Sequence, residues 1–181
     1  LTFFSRVIKE LDIPTGIQNA PEFMGFGLNT NSIVELASQH ENFVIVKLEC
    51  SAVQLQVVAE RLKFLKENVM VFNGRCGLEL TDNLRAGATG IIPGIETIRE
   101  TSKIFNYFTS KKIRESDELY SKLAPVLCFI MQGIPHFLTY GKMLAAKRLG
   151  LELSGFRKPA LNPTEFGSSC VKRFFNQLGK L

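Results

Sequence analysis

Lys47 is the residue of this sequence whose position most directly suggests covalent chemistry. It lies near the end of the apolar segment FVIVKL at residues 43–48. A lysine among apolar neighbours is uncommon unless its ammonium reaches water or has a chemical role. Removal from water disfavours the charged form of an amine, and a neutral amine can attack a carbonyl carbon to form an imine. The alternative is a lysine whose side chain extends from the strand end into solvent.

The surroundings of Lys47 depend on the face of the strand from which it projects. Strand alternation places it on the same face as Phe43 and Ile45. If that face points into a closed barrel, the amine lies at the carboxyl-terminal rim, where barrel enzymes have their active sites. Glu49 would then point to the same side and is a candidate acid or base. The alternative for Glu49 is a rim carboxylate that only pairs with a neighbouring cation.

Strand-like and helix-like segments alternate over the first two thirds of the chain. Strands are predicted at 13–19, 43–48, 69–72 and 88–92, and helices at 2–11, 30–39, 51–67 and 77–85, with Thr30 or Asn31 and then Ser51 as helix caps. Such alternation is typical of parallel βαβ units, so we expect an α/β fold. From residue 95 onward the pattern is helical, at 95–110, 114–131, 135–149 and 164–178.

Four strands are compatible with two architectures. A closed (β/α)8 barrel has eight strands and about 250 residues, whereas four strands and their helices can also form a small open sheet. Against a nucleotide-binding open sheet, Gly25-Phe26-Gly27 lacks the third glycine of a phosphate-binding loop. The strand pattern alone leaves both architectures open.

Composition restricts the partners that we expect. The 22 basic and 17 acidic residues are spread along the chain without a long basic run, so we expect no nucleic-acid partner. No apolar run reaches the length of a membrane-spanning helix, so no membrane partner is expected. The chain opens at Leu1 and not at a methionine, and we expect that an upstream segment has been removed.

Cysteines and histidines give little support to metal or thiol chemistry. Cys50, Cys76, Cys128 and Cys170 have no CxxC spacing, and the two histidines lie far apart in sequence at positions 40 and 136. We therefore expect no metal site and no cofactor, and a reduced set of thiols in a cytoplasmic protein. We interpret His136 as a core or helix-surface residue, and Cys50 lacks a histidine nearby in sequence that could activate its thiol.

Several segments, in order, resemble the family of dihydrodipicolinate synthase and N-acetylneuraminate lyase. Residues 17–21 (IQNAP) followed by Gly25 are similar to the stretch after the family's fifth strand, and residues 44–47 (VIVK) to the sixth strand with its Schiff-base lysine. Residues 72–74 (FNG) are similar to the end of the seventh strand, and residues 86–92 (AGATGII) to the glycine-rich eighth strand. The helical tail is similar at 140–150 and at 157–166.

This resemblance implies a fold and a set of site residues. The fold would be a (β/α)8 TIM barrel of which only strands 5–8 are present, with residues 1–110 as the second half of the barrel and 111–181 as a helical extension. Lys47 would condense with the keto group of pyruvate or another 2-oxo acid, the small-molecule substrate of the family. Asn19, Gly74 and Ile92 would line the substrate pocket.

Two departures from the family pattern affect the function that we expect. Gln18 replaces the proton-relaying tyrosine of most members, and its amide cannot ionise. Gln-x-Ala-Pro and Lys-x-Glu are similar to the branch that dehydrates 2-keto-3-deoxy sugar acids, in which Gln18 and Glu49 would be catalytic. The first four strands, with the loop that grips the substrate carboxylate, have no counterpart here.

We therefore expect an aldolase or dehydratase that forms a Schiff base through Lys47. Open sheet edges invite pairing with another chain, so we also expect a homo-oligomer. One alternative is a truncated, non-catalytic family member that acts as an interaction or structural protein. Another is a complete open α/β domain that binds a small molecule without reacting with it.

Overall fold

A computed structural model describes residues 1–65 and 68–181. The described residues form two compact units, one of residues 1–75 and 79–92 and the other of residues 76–78 and 93–181. The first unit contains a parallel four-stranded sheet with its helices. The second is helical. The observed α/β architecture with a parallel sheet agrees with the fold class predicted from sequence.

The sheet of the first unit runs in chain order, with β1 and β4 as its edge strands. Its strands are Thr15–Asn19 (β1), Phe43–Leu48 (β2), Met70–Asn73 (β3) and Gly90–Ile91 (β4). Gln18 pairs in register with Lys47, and Lys47 with Phe72. Because residues opposite one another in a sheet project to the same side, Gln18, Lys47 and Phe72 share one face.

The other face of the sheet packs against helices. The helices that belong to the first unit are Thr2–Lys9 (α1), Pro21–Met24 (α2), Thr30–Gln39 (α3), Ala52–Leu65 (α4) and Leu80–Arg85 (α5). Val46, Leu48 and Val71 are buried in the core that contains Leu36 and Leu55 of these helices. This burial accounts for the apolar residues on the helix side of the strands.

A β-bulge at the start of β2 changes the expected face of Phe43. Thr15 pairs with Phe43 and Gly16 pairs with Ile45, so Val44 is an extra residue in β2. Phe43 is fully buried in the helix-side core, whereas Ile45 and Lys47 are only partly buried. The prediction that Phe43 shares the face of Lys47 was wrong, because the bulge interrupts strand alternation.

Three element boundaries also differ from prediction. Asn29, with an extended backbone, caps α3 by accepting from the Ser32 N–H at 2.9 Å, so the cap precedes the predicted Thr30 or Asn31. Helix α5 begins at Leu80 because Glu79 before it is left-handed, with φ 54°. Strand β4 has only two residues.

The cap predicted for α4 is present. Ser51 Oγ accepts from the Gln54 N–H at 3.3 Å, as expected of a helix N-cap. The predicted end of this helix, at about residue 67, lies outside the described residues.

The second unit consists of the predicted helical segments. They are Ile98–Thr109 (α6), Ile113–Ile130 (α7), Ile134–His136 (α8), Lys142–Leu149 (α9) and Glu165–Leu178 (α10), with a 3₁₀ turn at Ile95–Thr97 and a π-helical turn at Phe137–Gly141. Within the described residues, no single helix has the length and apolarity of a membrane span. Among the described residues, only the helical segments Ile113–Ile130 and Ile134–Leu149 together have this length and apolarity, and they are bent by 102° at the break between them.

A buried arginine organises the second unit. The Arg148 guanidinium is fully buried and forms two 2.7 Å contacts with the Glu100 carboxylate. It also donates to the carbonyl oxygens of Glu96 and Gly179. These contacts link α9 to the turn before α6 and to the end of α10.

Glu96 is a second, buried acidic residue near Arg148. Arg148 donates to its backbone carbonyl and not to its carboxylate. Its side chain is almost completely buried, and Oε1 has no hydrogen-bond partner among the described residues. Burial raises the pKa of Glu96 from 4.5 to about 7, and the charge of Arg148 offsets only part of this effect. The folded unit therefore holds a proton on Glu96 that the unfolded chain releases at lower pH.

The free energy of unfolding should fall as the pH rises from about 4.5 to about 7, because in this range the unfolded chain has released the Glu96 proton and the folded chain still holds it. A pKa raised from 4.5 to about 7 corresponds to a loss of about 3 kcal/mol. Glu96→Gln should remove this part of the pH dependence, which denaturant titrations at several pH values would measure. Glu152→Gln, at an exposed position of the same unit, is the matched control. If the free energy of unfolding changes equally with pH in the two variants, Glu96 is not the group with the raised pKa.

Candidate functional site

Lys47 lies near the carboxyl-terminal end of β2, as the sequence predicted. Its side chain is 23% exposed, and Nζ lies 2.9 Å from Glu49 Oε1. The ammonium is therefore held by a carboxylate at the strand end and does not extend freely into solvent. A carboxylate at this distance can accept a proton from the amine.

Glu49 connects the three predicted catalytic residues. Oε1, which contacts Lys47, also accepts from Gln18 Nε2 at 3.3 Å. Oε2 accepts from the backbone N–H of Arg75 at 2.6 Å. The Glu49 side chain is only 8% exposed, so these contacts satisfy a carboxylate that has little access to water. The structure thus brings Lys47, Gln18 and Glu49 together, although they come from two different strand ends.

Gly74 provides the space that the Glu49 carboxylate occupies. A Cβ at this position would lie 2.1 Å from Glu49 Oε1 and 2.5 Å from Oε2. The Gly74 N–H donates to the Leu48 carbonyl at 2.8 Å, which extends the pairing of β2 with β3. We predicted Gly74 as a substrate contact, and here its missing side chain makes room for Glu49.

Asn19 holds the loop after β1. Its Oδ1 accepts from the Leu28 N–H at 2.8 Å, and its Nδ2 donates to the Leu28 carbonyl at 3.0 Å. Gly27 lies so close that an added Cβ would approach Asn19 Oδ1 to 2.7 Å. Both ends of the amide are therefore used within the fold, and a substrate contact from Asn19 stays a prediction.

Ile92 immediately follows β4. Its N–H donates to the Asn73 carbonyl at 2.8 Å, and its side chain is 43% exposed. The pairing of β3 with β4 therefore continues one residue beyond the assigned strand. A substrate contact from Ile92 stays a prediction.

The sequence did not predict site roles for Asn73, the last residue of β3, or for Arg75, two residues beyond it. Asn73 is fully buried, and its Nδ2 donates to the Cys50 carbonyl at 2.9 Å and to Asn83 Oδ1 at 2.8 Å. It thereby fixes the chain just after Glu49. A polar residue ending an apolar strand was the available signal for Asn73. The backbone contact that Arg75 makes with Glu49 left no signal in the sequence.

Neither Cys50 nor His136 has the surroundings of a reactive group. Burial raises the pKa of the Cys50 thiol to about 11, and the negative charge of Glu22 contributes. His136 packs against Phe129 and Tyr140 in the second unit, with ring centroids 5.3 Å and 4.6 Å away, and burial lowers its pKa. No group of three or more His, Cys, Asp or Glu side chains that could hold a metal occurs in the described part of the chain.

Comparison with known proteins identifies a family. The model of the dihydrodipicolinate synthetase family matches residues 1–177. No curated protein matches the chain significantly.

Solved structures share the fold. Dihydrodipicolinate synthase from Thermotoga maritima has a TM-score of 0.85 at 17% identity, over 99% of this chain and 61% of that one. YagE, a prophage protein of the same family from E. coli K12 that was solved in complex with pyruvate, has a TM-score of 0.84 at 17% identity, with the same coverage of 99% and 61%. A family protein from Coccidioides immitis is 25% identical, with a TM-score of 0.77 over 98% of this chain and 58% of that one. The chain thus spans about 60% of the length of the structures it matches.

Alkylation should distinguish the cysteines. At pH 8 iodoacetamide should modify the exposed Cys128 well before Cys50, because Cys50 is buried and its pKa of about 11 leaves little thiolate. Peptide mass spectrometry measures both rates, with the denatured chain as the reference for intrinsic reactivity. Equal rates in the folded chain would contradict the buried position of Cys50.

Gly74→Ala should destabilise the first unit by about 1–3 kcal/mol, because the displaced Glu49 carboxylate loses hydrogen bonds while it stays buried. Combining it with Glu49→Ala removes the clash, so the double variant should be less destabilised than the sum of the two single variants. Denaturant titration of the four proteins completes the cycle. Simple additivity would show that the two positions do not interact.

Proposed function

Because the chain belongs to the dihydrodipicolinate synthetase family, we propose that it carries the Schiff-base site of a lyase that acts on pyruvate or a 2-keto-3-deoxy acid. The family is one of pyruvate-dependent Schiff-base lyases, and the pyruvate complex of YagE supports this substrate class. The observation that carries the proposal is the 2.9 Å contact of Lys47 Nζ with Glu49 Oε1 at the end of β2. It places an amine and a proton acceptor together at a strand end.

In the proposed reaction Glu49 first accepts the proton of the Lys47 ammonium. The nitrogen of the neutral amine adds to the C2 carbonyl carbon of the substrate as the π bond to oxygen breaks, and a proton moves from this nitrogen to the oxygen to give a carbinolamine. Glu49 then returns the proton to the departing hydroxyl group, so that the C–O bond breaks, water leaves and a protonated imine forms. The imine withdraws electrons from the neighbouring carbon and permits cleavage or formation of a C–C or C–O bond.

Gln18 orients the proton acceptor in this scheme. An amide can donate and accept hydrogen bonds but cannot ionise at ordinary pH, so Gln18 cannot relay a proton as a tyrosine does. Its 3.3 Å contact with Glu49 Oε1 instead supports Glu49 as the acid and base. This pairing favours a dehydratase or aldolase of keto-deoxy sugar acids over dihydrodipicolinate synthase itself.

We also propose how the chain corresponds to a complete barrel. Its four strands would be strands 5–8, residues 1–110 the second half of the barrel and 111–181 the helical extension. The coverage of about 60% of the matched structures supports this assignment. The backbone near Gly74 and Ile92 would line the pocket, and four further strands would supply the carboxylate grip. A homo-oligomer in the cytoplasm, where the four free thiols stay reduced, completes the proposal.

Borohydride reduction in the presence of pyruvate tests the site, since it converts the imine into a stable adduct. Intact and peptide mass spectrometry should find one pyruvyl group on Lys47 and none in Lys47→Ala. Lys63→Ala, which changes an exposed lysine of the same unit, should keep the adduct. Glu49→Gln should slow its formation by about 10²-fold or more, the usual contribution of an acid–base group.

Two outcomes would overturn this proposal. An adduct that persists in Lys47→Ala would assign the reaction to another amine. No adduct on a chain whose circular dichroism shows a folded protein would instead favour a truncated family member that acts through interactions.

A further inference from the structure

The turn after β3 determines how the Glu49 carboxylate is oriented. Its Oε2 accepts from the Arg75 N–H at 2.6 Å, while its Oε1 contacts Lys47 and Gln18. A backbone N–H can only donate, so Oε2 is held as the acceptor in this contact. The two oxygens thereby have different partners, and only Oε1 faces the amine.

The Arg75 N–H reaches Glu49 because the backbone of Arg75 is left-handed. Its φ is 50°, a conformation that costs free energy in any residue with a Cβ. The Arg75 side chain opposes this cost, since its guanidinium lies 2.8 Å from Glu79 Oε2 and 3.9 Å from Glu22 Oε2. Glycine would adopt the conformation without strain, so an arginine here indicates a use for its side chain.

We infer that Arg75 is a positioning residue for proton transfer between Lys47 and Glu49, an inference that rests on the proposed function. The ion pairs of its guanidinium hold the left-handed turn, and its N–H holds Glu49 Oε2. Without that contact the carboxylate can rotate about its Cγ–Cδ bond. Oε1 then leaves Lys47, and the amine loses its proton acceptor.

Variants at position 75 separate the backbone contact from the charge of the side chain. Arg75→Ala removes the ion pairs and keeps the strain, so it should slow trapping of pyruvate by at least about tenfold, consistent with the weakened contribution of an acid–base group. It should also change the pH dependence of the trapping rate. Arg75→Gly keeps an N–H and relaxes into the left-handed turn, so it should recover most of the rate. Arg85→Ala, which removes an arginine of α5 beside Asp82, is the matched control.

The kinetic outcomes decide for or against the inference. A rate and pH profile of Arg75→Ala equal to those of Arg85→Ala would overturn it, provided that both variants are folded by circular dichroism. If Arg75→Gly is as slow as Arg75→Ala, the effect belongs to the guanidinium charge, and the role of the N–H is wrong.

A second measurement does not depend on activity. In the ¹H–¹⁵N spectrum the Arg75 amide proton should lie far downfield, because it donates to a carboxylate at short distance, and Glu49→Ala should move it upfield. A resonance that does not respond to Glu49→Ala overturns the inference even if pyruvate is trapped. A responding resonance in a chain that traps no pyruvate locates the failure in the proposed function.

Discussion

The contacts of one buried carboxylate determine the geometry of the site in the first unit. Glu49 joins the end of β1 through Gln18, the end of β2 through Lys47 and the turn after β3 through Arg75. A carboxylate with so little access to water is costly unless its oxygens are satisfied. The three strand ends therefore lie close enough for Glu49 to contact all of them. Position 74 is a glycine because a side chain there would clash with the Glu49 carboxylate.

The sheet produces this meeting by placing consecutive strands side by side in parallel register. Gln18, Lys47 and Phe72 fall in one row across β1, β2 and β3, so residues from distant parts of the sequence face the same space. The bulge at Val44 is part of this arrangement, since it buries Phe43 on the helix side while Ile45 and Lys47 lie on the other. Asn73 and Asn19 then fix the segments that leave the strands.

The second unit contains two largely buried acidic side chains in different electrostatic surroundings, Glu100 and Glu96. Arg148 and Glu100 neutralise one another through two close contacts, whereas the Glu96 carboxylate next to them has an oxygen without a hydrogen bond in the described structure. Opposite charges in a buried pair stabilise each other, whereas a buried carboxyl with an unsatisfied oxygen is more stable when it is protonated. The contrast explains why the pKa of Glu96 is raised while Glu100 serves as a counterion.

The sequence by itself determined the order of strands and helices, the position of Lys47 near a strand end and the resemblance to the family. These depend on local periodicity and on residues close to one another along the chain. The tertiary structure decided which groups surround Glu49, which face of the sheet Phe43 occupies, that Asn19 hydrogen-bonds to Leu28 in the loop after β1, and that Glu96 is buried. Each of these depends on strand register, on a bulge or on a contact between different segments of the chain. Local residue patterns do not predict such contacts, because the same polar side chain can form hydrogen bonds with many different partners.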